Sequence, residues 1–360
     1  MPLPTPGGRD APVPPDDAGV SFVMPVLNEQ RYLRRAVAST LSQEVPGPVE
    51  LVLALGPSSD GTDAIARELA DADERIVLVD NPAADIPVGL NLAIRASRYP
   101  TIVRVDAHSE LSPGYTRRAL DTLRRVRAAN VGGVMRADGR APFQRAVARA
   151  YNSRVGLGGG AYHGGGAEGP AESAYLGVMR RSVLEEVGLF DESIRRGEDW
   201  ELNLRIRRAG YRVWFDPALS VVYWPRESWT RLVRQFRATG AWRGELVRRY
   251  PRGTPVRFFA PPALLVAAAV SLGVGASQVA RRRAGLRSML HLPVAAYATL
   301  VAVGALGRGG GRGWRDKVWT AAVLPSMHVS WGAGFLWALV RGARDTVDTS
   351  RLDGRNTPLP

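Results

Sequence analysis

Three long apolar runs near the carboxyl terminus limit what the chain can fold into. The first, Ala263–Ala280, has no charged residue, the second is Leu290–Leu306, and the third is Val318–Val340. The hydrocarbon core of a bilayer is about 30 Å thick, and about 20 helical residues are needed to cross it. We therefore expect two or three membrane helices within residues 259–341. The alternative is a buried helical hairpin of a water-soluble fold.

Arginines flank every apolar run. The chain has 48 Lys and Arg against 34 Asp and Glu, a formal net charge of +14. Cationic residues favour the cytoplasmic side of a membrane, but three spans would place alternate loops on opposite sides, so this charge leaves the topology open. A nucleic-acid partner is not expected, because no nucleic-acid-binding motif accompanies the charge. The flanking arginines are Arg248, Arg249, Arg252, Arg257, Arg281, Arg282, Arg283, Arg287, Arg308, Arg312, Arg315, Arg341 and Arg344.

Residues 228–258 are predicted to form amphipathic helices between the first part of the chain and the apolar runs. Trp229, Leu232, Val233 and Phe236 fall on one helical face, and most arginines of the segment fall elsewhere. This pattern is typical of a helix that lies in a membrane interface and contacts membrane lipid. A surface helix packed on its own domain would show the same pattern. Residues 342–360 are predicted to be a polar tail.

The amino-terminal segment 1–19 is rich in proline and has no long apolar run, so we expect a disordered tail. It also lacks the basic region and continuous apolar stretch of a secretory signal. We therefore expect the domain that follows, residues 20–227, to face the cytoplasm at the cell membrane.

Short apolar runs alternate with helical stretches from Val20 onward, which predicts an α/β fold with an open sheet. Val20–Val26, Val49–Leu55 and Thr101–Val105 are predicted strands. Ligands of such sheets bind at the carboxyl ends of the strands, so the segments that follow the strands should converge on one crevice. Those segments are Leu27–Glu29, Gly56–Thr62 and Asp106–His108.

Asp106 and His108 are candidate metal ligands. In an extended segment, residues i and i+2 project to the same side, so both side chains could address one divalent ion. A carboxylate with an imidazole suits Mn²⁺ or Mg²⁺, with Mn²⁺ the better match to nitrogen. The alternative is a turn aspartate beside a surface histidine.

Six ordered motifs between about Val20 and Arg243 resemble those of the family 2 glycosyltransferases, especially the branch with the succinoglycan-type exopolysaccharide glucosyltransferases. Arg104-Val-Asp-Ala-His108 resembles that branch's form of the D-x-D signature. The other motifs are Pro25-Val-Leu-Asn-Glu29, Ser58-Ser-Asp-Gly-Thr62, Gly89-Leu-Asn-Leu-Ala93, Tyr175 to Arg181 with Val187 to Asp191, and Glu198-Asp-Trp-Glu-Leu-Asn-Leu-Arg205.

The resemblance implies a GT-A fold, an open mixed sheet with helices on both faces, followed by the interfacial and transmembrane helices. It also implies a metal-dependent, inverting, hexosyltransferase-like enzyme that uses a nucleotide-sugar donor, a UDP-sugar by expectation, and a polyprenyl-linked or other glycan acceptor. Asp106 and His108 would hold the metal, Asp199 would be the general base, and Glu198 would tune the site. Donor binding falls to Pro25, Val26, Asn28, Glu29, Asn91, Arg104 and Asp106.

The sequence departs from the family pattern at two donor positions. Leu27 stands where most relatives have an aromatic residue, and Leu55 or Gly56 where most have an aspartate. These departures leave open a membrane scaffold that kept the fold and lost the chemistry, or a nucleotidyl- or phosphotransferase on a similar sheet. The Q-x-x-R-W motif of processive synthases is absent, since Gln235 is followed by Phe-Arg-Ala-Thr, so one sugar per acceptor is expected.

Glycines are concentrated in Gly156–Gly166, which lacks the Gly-Lys-Ser/Thr ending of a P-loop. A mobile lid over the acceptor and a plain linker are both compatible with this composition.

Overall fold

The computed structural model describes residues 8–157, 166–252, 254–281, 286–307 and 313–343. These residues form two compact units. The sheet unit comprises residues up to 136 together with 166–224, and the helical unit comprises residues 137–157 and those from 225 onward. Most of Gly156–Gly166 and of the predicted polar tail, and several of the flanking arginines, lie outside the described residues.

The sheet unit is built on one mixed sheet, whose described strands follow the order β3-β2-β1-β4-β8-β6-β9-β5, with β7 paired to β9. The strands β3, β2, β1 and β4 are parallel neighbours, while β8 runs antiparallel to β4 and β6, and β9 antiparallel to β5 and β7. The strands are β1 (Val20–Val26), β2 (Val49–Leu55), β3 (Ile76–Asp80), β4 (Thr101–Arg104), β5 (Ser109–Leu111), β6 (Asn130–Ala137), β7 (Gly169–Pro170), β8 (Val178–Arg180) and β9 (Val213–Tyr223).

Helices cover both faces of the sheet, as the GT-A prediction requires. Alternate residues of β1 and β2 enter two separate cores, because successive side chains of a strand point to opposite faces. Phe22 packs with α1, α2 and α4 in one core, and Val23 packs with α3, α7 and α8 in the other. The helices are α1 (Leu33–Leu41), α2 (Thr62–Ala72), α3 (Ile86–Ala96), α4 (Tyr115–Arg125), α7 (Arg181–Val187) and α8 (Glu198–Arg208).

Residues 8–19 differ from the predicted disordered tail. Arg9 forms an isolated parallel bridge with Tyr211, and Ala11 is buried. Asp10 forms ion pairs with Arg127 at 2.8 Å and Arg212 at 2.7 Å. The composition of this segment did not indicate the packing. The packing depends on main-chain hydrogen bonds and ion pairs to distant residues, which a proline-rich segment can make without an apolar run.

The helical unit contains α5 (Pro142–Tyr151), α6 (Arg154–Leu157), α9 (Trp229–Arg249), α10 (Ala260–Arg281), α11 (Leu292–Leu306) and α12 (Trp314–Arg341). The helix α9 is capped at its amino-terminal end by Ser228, whose side chain accepts a hydrogen bond from the Arg231 N–H. Its backbone approaches α12 closely, since a Cβ on Gly240 would lie 1.9 Å from the Trp331 carbonyl oxygen. The buried side of α9 therefore packs on α12, and its position in a membrane interface stays a prediction.

Three segments are long and apolar enough to cross a membrane by length and composition: Val256–Gln278, Ser288–Leu306 and Trp314–Arg341. Many of their large apolar side chains are exposed, among them Leu272, Val303 and Val340. Soluble proteins rarely expose so much contiguous apolar surface. This exposure favours membrane helices over a buried hairpin.

Candidate active site

The loops after β1 and β2 are joined by hydrogen bonds from two residues of the predicted site. Asn28 takes a left-handed conformation, with φ of 55°, and its Oδ1 accepts the Ser59 N–H at 2.8 Å. The Asn28 N–H donates to the Ser58 hydroxyl, and the Glu29 N–H donates to the Thr62 hydroxyl at 2.8 Å. The predicted convergence of these two loops is confirmed.

The loop after β4 joins them through His108. Its Nδ1 lies 2.9 Å from Glu29 Oε1, and both side chains are largely buried. The imidazole also meets the ring of Tyr223 edge-on, with 5.8 Å between centroids. All three predicted segments therefore gather at the carboxyl edge of the parallel strands.

Asp106 and His108 do not lie on an extended segment. The strand β4 ends at Arg104, and the chain then turns, with the Ser109 N–H donating to the Asp106 carbonyl at 2.8 Å. The prediction that Asp106 and His108 project to one side of an extended segment is therefore wrong. The turn arises because β5 leaves the parallel layer to pair antiparallel with β9.

Arg104 connects the metal-ligand candidate to the proposed catalytic pair. Its side chain is only 5% exposed. The guanidinium donates through Nε to Asp106 Oδ1 at 3.2 Å and through Nη1 to Glu198 Oε1 at 2.9 Å, and Nη1 also donates to Asp199 Oδ1. Arg104 is expected from the resemblance to bind the donor, but in the structure its guanidinium contacts protein carboxylates instead.

A signal for this role was present in the sequence. Arg104 interrupts the apolar strand Thr101–Val105, and a charged side chain in a buried strand must be paired. The pairing partners lie 94 and 95 residues away, so spacing could not identify them.

Glu198 and Asp199 open helix α8 after Gly197, which has φ of 85°. The Asp199 side chain is 28% exposed and that of Glu198 is 9% exposed, so Asp199 is the more accessible carboxylate. Burial raises the pKa of Asp199 to about 7, Arg104 opposes this shift, and the nearby Glu198 and Asp106 carboxylates add to it. A carboxyl that titrates near neutral pH suits a general base.

Glu201, on the same turn of α8, is less accessible than Asp199. Its side chain is buried, and Oε1 and Oε2 accept hydrogen bonds from the Arg205 guanidinium at 2.7 Å each. This pair holds α8 and leaves Asp199 as the base candidate.

Asn91 and Val26 are not placed to bind a donor through their side chains. Asn91 is buried and bonds to both backbone groups of Phe190, at 2.9 and 3.0 Å, and to Glu192 at 2.8 Å. The Val26 side chain lies in the core, and its carbonyl accepts the Gly56 N–H at 2.8 Å. Pro25, the residue before it, is partly exposed and continues the β1 pairing with β2. We therefore assign Asn91 and Val26 to structure.

Asp106 and His108 are of a chemical type that suits a divalent metal which takes further ligands from a bound phosphate. Asp106 uses Oδ1 for Arg104, which leaves Oδ2 as a potential ligand oxygen on a side chain 16% exposed. Ligating histidines usually donate their other ring N–H to a carboxylate, and Glu29 stands in that position for His108. No three His, Asp or Glu side chains form a complete metal cage within the described ranges. Ligands from substrate phosphate are usual for Mg²⁺.

The chain is similar to several known proteins. Residues 21–188 match the family described as Glycosyl transferase family 2. The succinoglycan biosynthesis protein ExoA of Rhizobium meliloti (strain 1021) is 30% identical over 322 residues, which cover 87% of this chain and 93% of that protein.

A second relative is the dolichyl N-acetyl-alpha-D-glucosaminyl phosphate 3-beta-D-2,3-diacetamido-2,3-dideoxy-beta-D-glucuronosyltransferase of Methanococcus voltae. It is 22% identical over 240 residues, which cover 64% of this chain and 74% of that protein. Among solved structures, mannosyltransferase PcManGT from Pyrobaculum calidifontis, in complex with GDP-Man and Mn²⁺, has a similar fold. The TM-score is 0.60 at 19% identity, over 92% of this chain and 90% of that one.

Proposed function

Because the chain belongs to glycosyltransferase family 2, we propose that it transfers one sugar from a nucleotide-sugar donor to a polyprenyl-linked or other glycan acceptor, with inversion. The single observation that carries the proposal is the Arg104 cluster. One buried guanidinium holds Asp106 at the end of β4 and Asp199 at the start of α8. A carboxylate for the diphosphate side and a carboxylate for the acceptor side are thus fixed relative to each other.

Asp199 removes the proton from the attacking acceptor hydroxyl. The hydroxyl oxygen then forms a bond to the anomeric carbon as the bond from that carbon to the nucleoside diphosphate breaks, so a single displacement inverts the configuration. The base must be ionised, so activity should rise with pH through about 7, where burial has moved the pKa of Asp199.

Asp106 and His108 are the side chains that would hold Mn²⁺ or Mg²⁺. When bound, the metal would neutralise charge on the leaving diphosphate. Asn28 and Glu29 lie at the same edge of the sheet, where they tie the loops after β1 and β2 together. The donor base stays a proposal: a UDP-sugar follows from the resemblance to exopolysaccharide glucosyltransferases, whereas the fold neighbour is bound to GDP-Man.

The test uses the purified full-length protein in detergent with UDP- and GDP-sugars and Mn²⁺. We expect release of nucleoside diphosphate that depends on Mn²⁺, and calorimetry should show which nucleotide binds. Asp199→Asn is the matched control, because it should keep donor binding and lose turnover. Absence of release with every donor and a lipid-linked acceptor would contradict the proposal and favour a scaffold.

The membrane orientation is part of the same proposal. The apolar exposure of the three candidate spans supports anchoring, and we propose that the sheet unit faces the cytoplasm. The chain has no cysteine, so a single Ala83→Cys change at an exposed loop reports accessibility without background. Labelling of intact cells by a membrane-impermeant maleimide would contradict a cytoplasmic sheet unit.

A further inference from the structure

Glu29 is fixed at both its backbone and its side chain. Its N–H donates to the Thr62 hydroxyl at 2.8 Å, and its carbonyl accepts the N–H groups of Tyr32 and Leu33, both at 2.9 Å, at the start of α1. Its carboxylate is buried and reaches His108 Nδ1 at 2.9 Å. A side chain held this rigidly can set the orientation of the group it contacts.

His108 is held on its other side by the sheet. Its neighbour Ser109 pairs with Tyr223 in the β5–β9 ladder, and the Tyr223 ring meets the imidazole edge-on. The imidazole therefore lies between a carboxylate and an aromatic ring. Its rotation and its tautomer depend on which hydrogen bond the Nδ1 atom makes.

An ionised carboxylate can only accept hydrogen bonds. With Glu29 ionised, this contact would place the proton of a neutral His108 on Nδ1 and the lone pair on Nε2. A lone pair on a ring nitrogen is what a metal ligand requires. This arrangement differs from the donor-binding role that the sequence assigned to Glu29.

We propose that Glu29 is a positioning residue that fixes the Nδ1–H tautomer and the ring orientation of His108 for metal binding. The inference rests on the proposed function, because it takes His108 as a metal ligand. Glu29 acts through His108 and contacts neither metal nor donor. Outer-shell partners of this kind typically change metal affinity by about 10–100-fold when they are replaced.

The first test reads the tautomer without metal. The chain has four histidines, so ¹⁵N-histidine labelling of the full-length protein in detergent gives few signals, and His108→Ala assigns one of them. We expect the Nδ1–H tautomer for His108 in the wild type and a shift toward Nε2–H in Glu29→Ala. Glu29→Gln should fall between them, because its carboxamide oxygen can still accept the Nδ1–H. An unchanged His108 signal in Glu29→Ala would overturn the inference.

The second test titrates Mn²⁺ alone and follows free Mn²⁺ by electron paramagnetic resonance. Glu29→Ala should weaken Mn²⁺ binding by about 10–100-fold and Glu29→Gln by less. Glu110→Gln is the matched control, since it removes a carboxylate in β5 two residues after His108 and should leave the affinity unchanged. Glu29→Ala should also leave the affinity for UDP measured without metal unchanged.

The outcomes distinguish the proposed metal site from the proposed role of Glu29. If His108→Ala and Asp106→Asn both bind Mn²⁺ as the wild type does, the proposed metal site is wrong. If His108→Ala weakens binding and Glu29→Ala does not, the metal site stands and the role of Glu29 is overturned. A loss of metal-free UDP binding in Glu29→Ala would make Glu29 a donor contact, which also overturns the positioning role.

Discussion

Arg104→Gln is the substitution that most directly tests the carboxylate cluster. Glutamine keeps a polar side chain, which is shorter than that of arginine, and removes the positive charge between Asp106, Glu198 and Asp199. The pKa of Asp199 is already raised to about 7 by burial and by the two neighbouring carboxylates, and Arg104 opposes that rise. Loss of the charge should therefore raise the pKa of Asp199 further.

The expected size of the effect follows from the contact between Arg104 and Asp199. A unit charge about 4 Å away is worth about 4 kcal/mol at an effective dielectric constant of about 20, which corresponds to about 3 pH units. Glu198 and Asp106 also lose the cation and will take up part of the gain in proton affinity, so we expect the activity profile to move up by about 2 pH units. At pH 7 the ionised fraction of Asp199 would fall from about one half to about 1%, and kcat by about 50-fold.

The assay is the pH dependence of kcat from pH 6 to 10 at saturating donor and Mn²⁺, with nucleoside diphosphate release as the readout. Arg104→Lys is the matched control: it keeps the charge but lacks the planar fork, so its profile should stay near the wild-type position at a lower plateau. Removing one partner of a buried ion pair typically costs about 3–5 kcal/mol of stability, so the melting temperature of each variant is measured in parallel. A folded Arg104→Gln protein whose rate falls equally at every pH would refute the electrostatic reasoning.

Three further predictions concern the base and the helical unit. Asp199→Asn should lower kcat by about 10²–10⁴-fold, with the donor affinity measured by calorimetry nearly unchanged. Glu198→Gln should lower kcat by less, because the main contact of Glu198 is with Arg104. The raised pKa of Asp199 means that the folded state binds the carboxyl proton more tightly than the unfolded chain, so the stability that this proton contributes is lost as pH rises toward 7. The gain in melting temperature from Asp199→Asn should therefore be larger at pH 8 than at pH 5. An equal gain at both pH values would contradict the raised pKa of Asp199. Gly240→Ala should destabilise the protein in detergent by about 1–3 kcal/mol, because its Cβ would lie 1.9 Å from the Trp331 carbonyl, whereas Gly273→Ala, with nothing within 4 Å, is the control that should be tolerated.

Two strands in the parallel half of the sheet could be predicted from the sequence with accurate boundaries. Val20–Val26 and Val49–Leu55 are strands as predicted, since a strand buried on both faces is a continuous apolar run between turn residues. The sequence also predicts a helix over Gln30–Gln43. The helix in the structure is shorter, Leu33–Leu41, because the Glu29 carbonyl and the left-handed Asn28 extend the loop before it.

The antiparallel half was beyond local patterns. The strands β5 and β8 have three residues each, too few to show a period, and β5 pairs with β9 more than a hundred residues later. Such pairings depend on where the chain returns to the sheet, and a short stretch of sequence does not contain this information. The sequence left open that α9 packs on its own domain but did not identify α12 as the partner, since the glycines of α9 are informative only once the partner backbone is known.

The candidate site shows the same division between chemistry and geometry. Motifs identified Asp106, His108 and Asp199 as candidate site residues. The contacts of Arg104 with carboxylates become visible only when β4 and the start of α8 are placed side by side. A lysine could neutralise one carboxylate, whereas the guanidinium reaches Asp106, just after β4, through Nε and two carboxylates of α8 through Nη1. The proposed base Asp199 is therefore held from the sheet by the buried side chain of Arg104, while the loops after β1 and β2 are tied together by Asn28 and Glu29. Departures such as Leu27 and Leu55 can then alter donor selection at the loops and leave the position of the base unchanged.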